Sequence, residues 1–236
     1  MPAETAEKAI IEDIKTTDYQ VKLEVMSEQR LVGTPHLNNG LFADYYLNEI
    51  IPTLPEWSDG VLFAEAKAVF QRLHDLRERT NPAALDEAQL EEQWVKPVLD
   101  ALHTLAVGDA KRWGVNLDQS AQGQRNPAQQ IDEYLRYSEL PWGVLTDGRY
   151  WRLYQRDTSK YNSYYAVDLD HLLESGSTDA FLYFYVFFRR EAFTSGWLAK
   201  VLAGSEDFAQ KLTDKLEDEV YEALELIAQG FLDYRR

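Results

Sequence analysis

Between residues 41 and 102, apolar side chains return every three or four positions, the repeat of one face of an α-helix. The stretch 41–51 sets Phe42, Tyr45, Tyr46 and Ile50 near one face, and Pro52 and Pro55 close it. The pattern repeats over 61–79 with Leu62, Phe63, Val69, Phe70 and Leu73, and Asn81-Pro82 breaks it. It returns over 85–102 with Leu90, Trp94, Val98, Leu99 and Leu102. Pro97 lies inside this third stretch and predicts a kink, because proline has no N–H to give and its ring crowds the preceding turn. Ahead of these, 3–14 reads as a short amphipathic helix, and 19–25 has strand character within the mixed stretch 16–35.

From residue 105 the period changes. A short strand is expected over 105–111, then a polar loop over 116–125 with no apolar repeat. Asn126 suits a helix N-cap and Pro127 a first helical position, for a helix running to 137. Two β-prone runs follow, 142–145 and 150–154, with Asp147-Gly148 between them as a tight-hairpin signal. A third strand is expected at 164–167, and helices at 179–192, 197–202 and 207–234. The order predicts an α/β fold: a mixed sheet flanked by helices, with helical additions at both ends. It divides the chain into a helical region 1–80, a core 81–176 and a helical tail 177–236. No internal repeat or low-complexity tract is present.

Composition changes this picture in two places. The chain of 236 residues is 45% hydrophobic, enough for a substantial core, but its formal net charge is −16. A free-standing DNA-binding domain usually presents a basic face, so any DNA contact here must be local, metal-assisted or delivered by other domains. Cysteine is absent, which excludes disulfides and thiolate metal sites and fits a reducing cytoplasm. The charged start carries no signal peptide and no run is long enough for a membrane span, so a soluble cytoplasmic protein is expected. Aromatic residues make up 13% and concentrate between Tyr134 and Phe193. The run 181–188 reads first as a buried core helix and second as a docking face.

Candidate chemistry begins with Asp109-Ala110-Lys111. On a strand, residues two apart share a face, so carboxylate and ammonium project together. Such a pair can hold Mg²⁺ or Mn²⁺ through the acid and orient a water or balance phosphate charge through the lysine. A bare triplet is a weak signal, and a solvated strand end is the plainer reading. Glu65-Ala66-Lys67 has the same form but lies within a predicted helix, where residues two apart diverge, and is set aside. Gln130 and Tyr134 stand four apart and share a helix face; a core aromatic with a polar neighbour is the ordinary account. Glu87 opens the helix before the strand, where the helix dipole favours a carboxylate, with Glu91 and Glu92 competing nearby. The histidines at 36, 74, 103 and 171 lack metal-ligand spacing, and no Gly-rich phosphate loop or serine-nucleophile signature occurs.

Taken in order, Asp109-Ala110-Lys111-Arg112-Trp113-Gly114, Leu117-Asp118, the run from Asn126-Pro127 to Tyr134-Leu135, and the run Trp142-Gly143-Val144-Leu145-Thr146-Asp147-Gly148-Arg149-Tyr150-Trp151 resemble one family. It is the N-terminal PD-(D/E)xK nuclease-like region of type IIG-like restriction–modification proteins. That family pairs a (D/E)xK strand with a QxxxY helix, which Gln130 and Tyr134 match. Asp86-Glu87-Ala88-Gln89-Leu90 and Lys96-Pro97-Val98-Leu99 resemble its leading helix, and 226–231 resembles the helix leading toward a methyltransferase. The resemblance runs over most of the chain from Leu41 onward. It implies a restriction-endonuclease-like core and a Mg²⁺-dependent endonuclease acting on double-stranded DNA. Asp109 would hold metal with Glu87 as auxiliary, Lys111 would position water, and Gln130 and Tyr134 would support the site. The methyltransferase and target-recognition domains of a longer protein would be its partners.

The chain departs from the family at one point. The family has a Pro-Asp segment on a hairpin before the (D/E)xK strand, and this sequence has no Pro-Asp dipeptide. Between Leu102 and Asp109 the chain is too short for two strands, which need roughly 10–12 residues plus a turn. Three accounts stay open: an internal segment left out of this chain, a relative without nuclease activity, or Glu87 standing in beside Asp109. The first best fits the close match on both flanks. The alternative function is a catalytically inactive nuclease-fold scaffold or interaction module of such a protein.

Overall fold

A computed structural model describes residues 34–104, 107–119, 126–157 and 162–234. The helix expected at 3–14 and the strand expected at 19–25 lie outside the described residues, as does the part 120–125 of the 116–125 loop. The chain is α/β, built on a five-stranded mixed sheet in the order β1-β5-β4-β3-β2. Its strands are β1 (Leu37–Asn39), β2 (Val107–Ala110), β3 (Trp142–Thr146), β4 (Tyr150–Gln155) and β5 (Tyr164–Asp168). All neighbours pair antiparallel except β2 and β3, which run parallel. A parallel pair needs a crossover, and helix α4 (Pro127–Ser138) supplies it. Asn126 caps α4 by accepting the Ala128 N–H at 2.9 Å, and Pro127 opens it.

Strand alternation sorts the core into two layers. On one face Trp142, Val144, Trp151, Leu153, Tyr165 and Val167 join the main apolar cluster. Among the helices that pack into it are α1 (Tyr46–Ile50), α2 (Gly60–Thr80), α3 (87–101) and α6 (Thr178–Phe188). On the other face Leu145, Tyr154, Tyr164 and Ala166 pack with Leu117 and with Ala128, Ile131 and Leu135 of α4. Gly143 is required there: a Cβ would stand 2.9 Å from Leu135 Cδ2.

The long helices form where the apolar spacing predicts them. Asp59 caps α2, whose buried positions Leu62, Ala66, Phe70 and Leu73 fall on one stripe, and Asn81 ends it in the left-handed conformation. Glu65 and Lys67 lie within α2. The irregularity expected at Pro97 takes the form of a wider π turn, Glu91–Val95, inside α3. Lys96 N–H there reaches back to the Glu91 carbonyl, which makes room ahead of the proline ring. Phe181, Leu182 and residues 184–188 are all buried in α6, a helix apolar on nearly every side. The run is core, and the docking-face reading of it is withdrawn.

Three local expectations need correction. The hairpin is not a two-residue turn: Thr146 pairs with Trp151, because Asp147 Oδ1 gathers the N–H groups of Arg149 and Tyr150 into a longer loop while Tyr150 pairs with Asp168 of β5. The helix expected at 179–192 breaks at Arg189, which turns extended, and a short α7 (Arg190–Thr194) follows. There Arg190 N–H donates to the Leu102 carbonyl and Thr104 Oγ1 to the Phe188 carbonyl, tying α6 to the end of α3. The two tail helices are one, α8 (Trp197–Tyr234), since nothing between 202 and 207 stops it. Gly204 within it lets Tyr46 of α1 approach, for a Cβ would meet the Tyr46 hydroxyl at 2.3 Å. Strand β1 and helix α5 (Leu169–Ser175), capped by Asp168, went unread in the sequence.

Candidate functional site at the C-terminal end of β2

The parallel register pairs Asp109 with Leu145, and Leu145 faces α4. The Asp109 carboxylate therefore projects to the α4 face, with Lys111 two residues on. Lys111 N–H donates to the Thr146 carbonyl at 2.8 Å, continuing the ladder one residue past β2. The side chains meet as expected: Lys111 Nζ lies 2.8 Å from Asp109 Oδ2, with 22% and 18% of each side chain exposed. The ammonium therefore balances the charge of the carboxylate at its buried Oδ2.

Helix α4 covers β3 and touches β2 and β4 on either side. Asp132 and Arg136 form an ion pair on one flank, and Arg136 feels Asp157 just past β4. Gln130 and Tyr134, four residues apart, share the flank turned away from that pair. Gln130 is half-buried in the first two turns, and Tyr134 is 46% exposed. Asp109 and Lys111 thus lie on the sheet face covered by α4, the helix that carries Gln130 and Tyr134. Tyr134 is not the core aromatic that the ordinary account required.

Glu87 opens α3 beside a capping box in which Asp86 accepts the Gln89 N–H at 2.8 Å and Gln89 returns a bond to Asp86 N–H. It faces a cleft of about 320 Å³ whose walls include Val95, Leu99, Val144 and Trp151. Asp109 lines the same cleft as Glu87, while its register with Leu145 sets its side chain on the α4 face of β2. Glu91 shares the cleft, while Lys96 ties Glu91 and Glu92 at 3.5 and 2.7 Å.

Two further acids near the strand ends hold structure. Asp147 is 1% exposed, and burial raises its carboxyl above the ordinary range against several backbone N–H bonds. It fixes the loop beside the end of β2. Asp118 forms a two-pronged pair with Arg152 of β4 at 2.6 and 2.8 Å, and Arg152 lies 4.1 Å over the Tyr164 ring. Asn126 Nδ2 donates to the Asp118 carbonyl, which anchors the start of α4. The signal for Asp118 lay in the resemblance; that for Asp147 was masked by its turn dipeptide. Trp113 packs against the main core.

The residues fit a divalent cation only in part. Asp109 offers a carboxylate, the kind of oxygen ligand Mg²⁺ takes, and its Oδ2 faces the Lys111 ammonium at 2.8 Å. Among the described residues, however, no three His, Cys, Asp or Glu side chains cluster closely enough to hold a metal ion. No helix of the described residues is long and apolar enough to cross a membrane. Set beside known proteins, the chain matches no protein-family model, no curated protein and no solved structure.

Proposed function

We propose that this chain is the nuclease-like module of a restriction–modification protein, directed at DNA phosphodiester bonds. One observation carries the reading: the Asp109–Lys111 ion pair stands at the end of β2, a strand that α4, the helix carrying Gln130 and Tyr134, touches. The β2–α4–β3 crossover, with α3 on the other face, supports a restriction-endonuclease-like core. Asp109 would hold Mg²⁺ or Mn²⁺, which when bound supplies positive charge to a phosphate. Lys111 would orient a water toward phosphorus and offset the charge that develops as the bond to the leaving sugar oxygen breaks. Gln130 and the exposed Tyr134 would meet the DNA backbone. With a net charge of −16, stable DNA binding falls to other domains of the protein, its methyltransferase and target-recognition partners.

A second reading has its own support. Asp109 is the one acid of the pair, and Lys111 already neutralises it, so the same fold could serve as an inactive scaffold. Calorimetry with Mg²⁺ and Mn²⁺ on the chain, Asp109→Ala and Lys111→Ala, with plasmid nicking on the same samples, separates the two. The nuclease reading expects metal binding lost in Asp109→Ala and nicking lost in both variants. Absence of binding and nicking in the unaltered chain would sink it and leave the scaffold.

A further inference from the structure

We infer that the outer edge of β2, with the cleft beside it, is a docking site for an extended peptide strand carrying alternate small apolar and basic side chains. The inference does not depend on the nuclease reading. It begins from the ladder. Lys111 N–H bonds to Thr146, and in a parallel pair the bonding residues alternate, so Asp109 also turns its backbone to β3. The N–H and C=O groups of Gly108 and Ala110 then point away from the sheet. β2 ends the strand order, and among the described residues nothing pairs with that edge. Such an edge is a template for one more strand.

The cleft says what side chains that strand carries. Gly108 and Ala110 line it and, being small, leave its floor open, with Val95, Leu99, Val144 and Trp151 as apolar walls. A strand added to β2 directs every second side chain onto this face, where a residue the size of valine fits. Glu87, Glu91 and Asp109 line the cleft against one cation, Lys96, which pairs with Glu91 at 3.5 Å; the surplus of negative charge suits basic side chains at the positions that reach Glu87. A helix could fill the apolar volume but has no free backbone groups to meet Gly108 and Ala110. A second copy of this chain is disfavoured, because edge-to-edge pairing would bring the Glu87 and Glu91 carboxylates of both copies together on molecules of charge −16.

The test is amide hydrogen exchange on the full chain, read with and without a capped peptide of alternating lysine and valine, seven residues long. The expected result is at least a tenfold slowing at Gly108 and Ala110. An analogue N-methylated along its bonding edge should give none, and Glu87→Lys with Glu91→Lys should weaken binding about tenfold. Ala110→Pro removes an N–H that the sheet does not use, so this variant should keep its fold and lose the peptide. Protection that survives N-methylation would reveal mere adsorption of a cation to an acidic chain and overturn the inference. So would unchanged exchange at the two residues, or a peptide-free dimer protecting the same amides.

Discussion

His36 is 4% exposed and stacks 4.6 Å from the ring of Tyr183 and 5.5 Å from that of Tyr165. Burial pushes its imidazole down to about 4, against a smaller upward pull from Asp44. The folded state therefore binds fewer protons than the unfolded state between about pH 4 and 6.5. Stability is whole above the ordinary imidazole range and is lost as pH falls through that window. The loss should reach about 2–4 kcal/mol. His36→Phe should flatten this limb, which urea midpoints measured from pH 4 to 7 would check; parallel curves for the two proteins would refute it. At this scale the sequence was an uneven guide. Asp109 and Lys111 share a face because strand alternation is strict, so their pairing could be read in advance. The burial of His36 and Asp147 depends on residues far away in the chain, and no local pattern announces it.

Among elements, the readable ones were those with local causes. α2, α4 and β3–β5 follow from period, caps and breakers. β1 is three residues long and exists because β5 accepts it, and α5 is too short for a periodicity to emerge. The placement of Glu87 likewise turns on which sheet face α3 covers, a tertiary fact. α8 is the extreme case of local cause without tertiary support. Its first turns bury Trp197, Leu198, Val201 and Leu202, yet residues 206–229 are exposed, apart from a half-buried Phe208. Helical pairs such as Lys211–Asp207 at 2.6 Å give only tenths of a kcal/mol each. Amides beyond residue 209 should exchange at least a hundredfold faster than those of 198–202; equal protection would mean that the exposed half is held by contacts absent from this chain alone.

For the molecule as a whole, the main apolar cluster runs from Leu41 to Leu202 and draws on the front, middle and tail segments alike. Phe187 sits at its centre, 4.3 Å from Tyr165 and 5.1 Å from Trp197. Phe187→Ala should cost about 3–5 kcal/mol. The loss should appear as one earlier transition in urea, followed by near-ultraviolet dichroism. A second, unshifted transition would show that the segments fold apart. The two-faced sheet also explains why the candidate residues come from two helices: α3, with Glu87, and α4, with Gln130 and Tyr134, clothe opposite sides of it.

All six tryptophans, from Trp57 to Trp197, lie in the body of the molecule, and α8 has none past its first residue. Intrinsic fluorescence consequently reports on the body alone and is blind to the projecting arm. A ligand on the body would be visible without labels, Trp151 at the cleft being a built-in reporter. Events on the arm would leave that light unchanged, and a dye placed at exposed Tyr221 would give the arm a colour of its own.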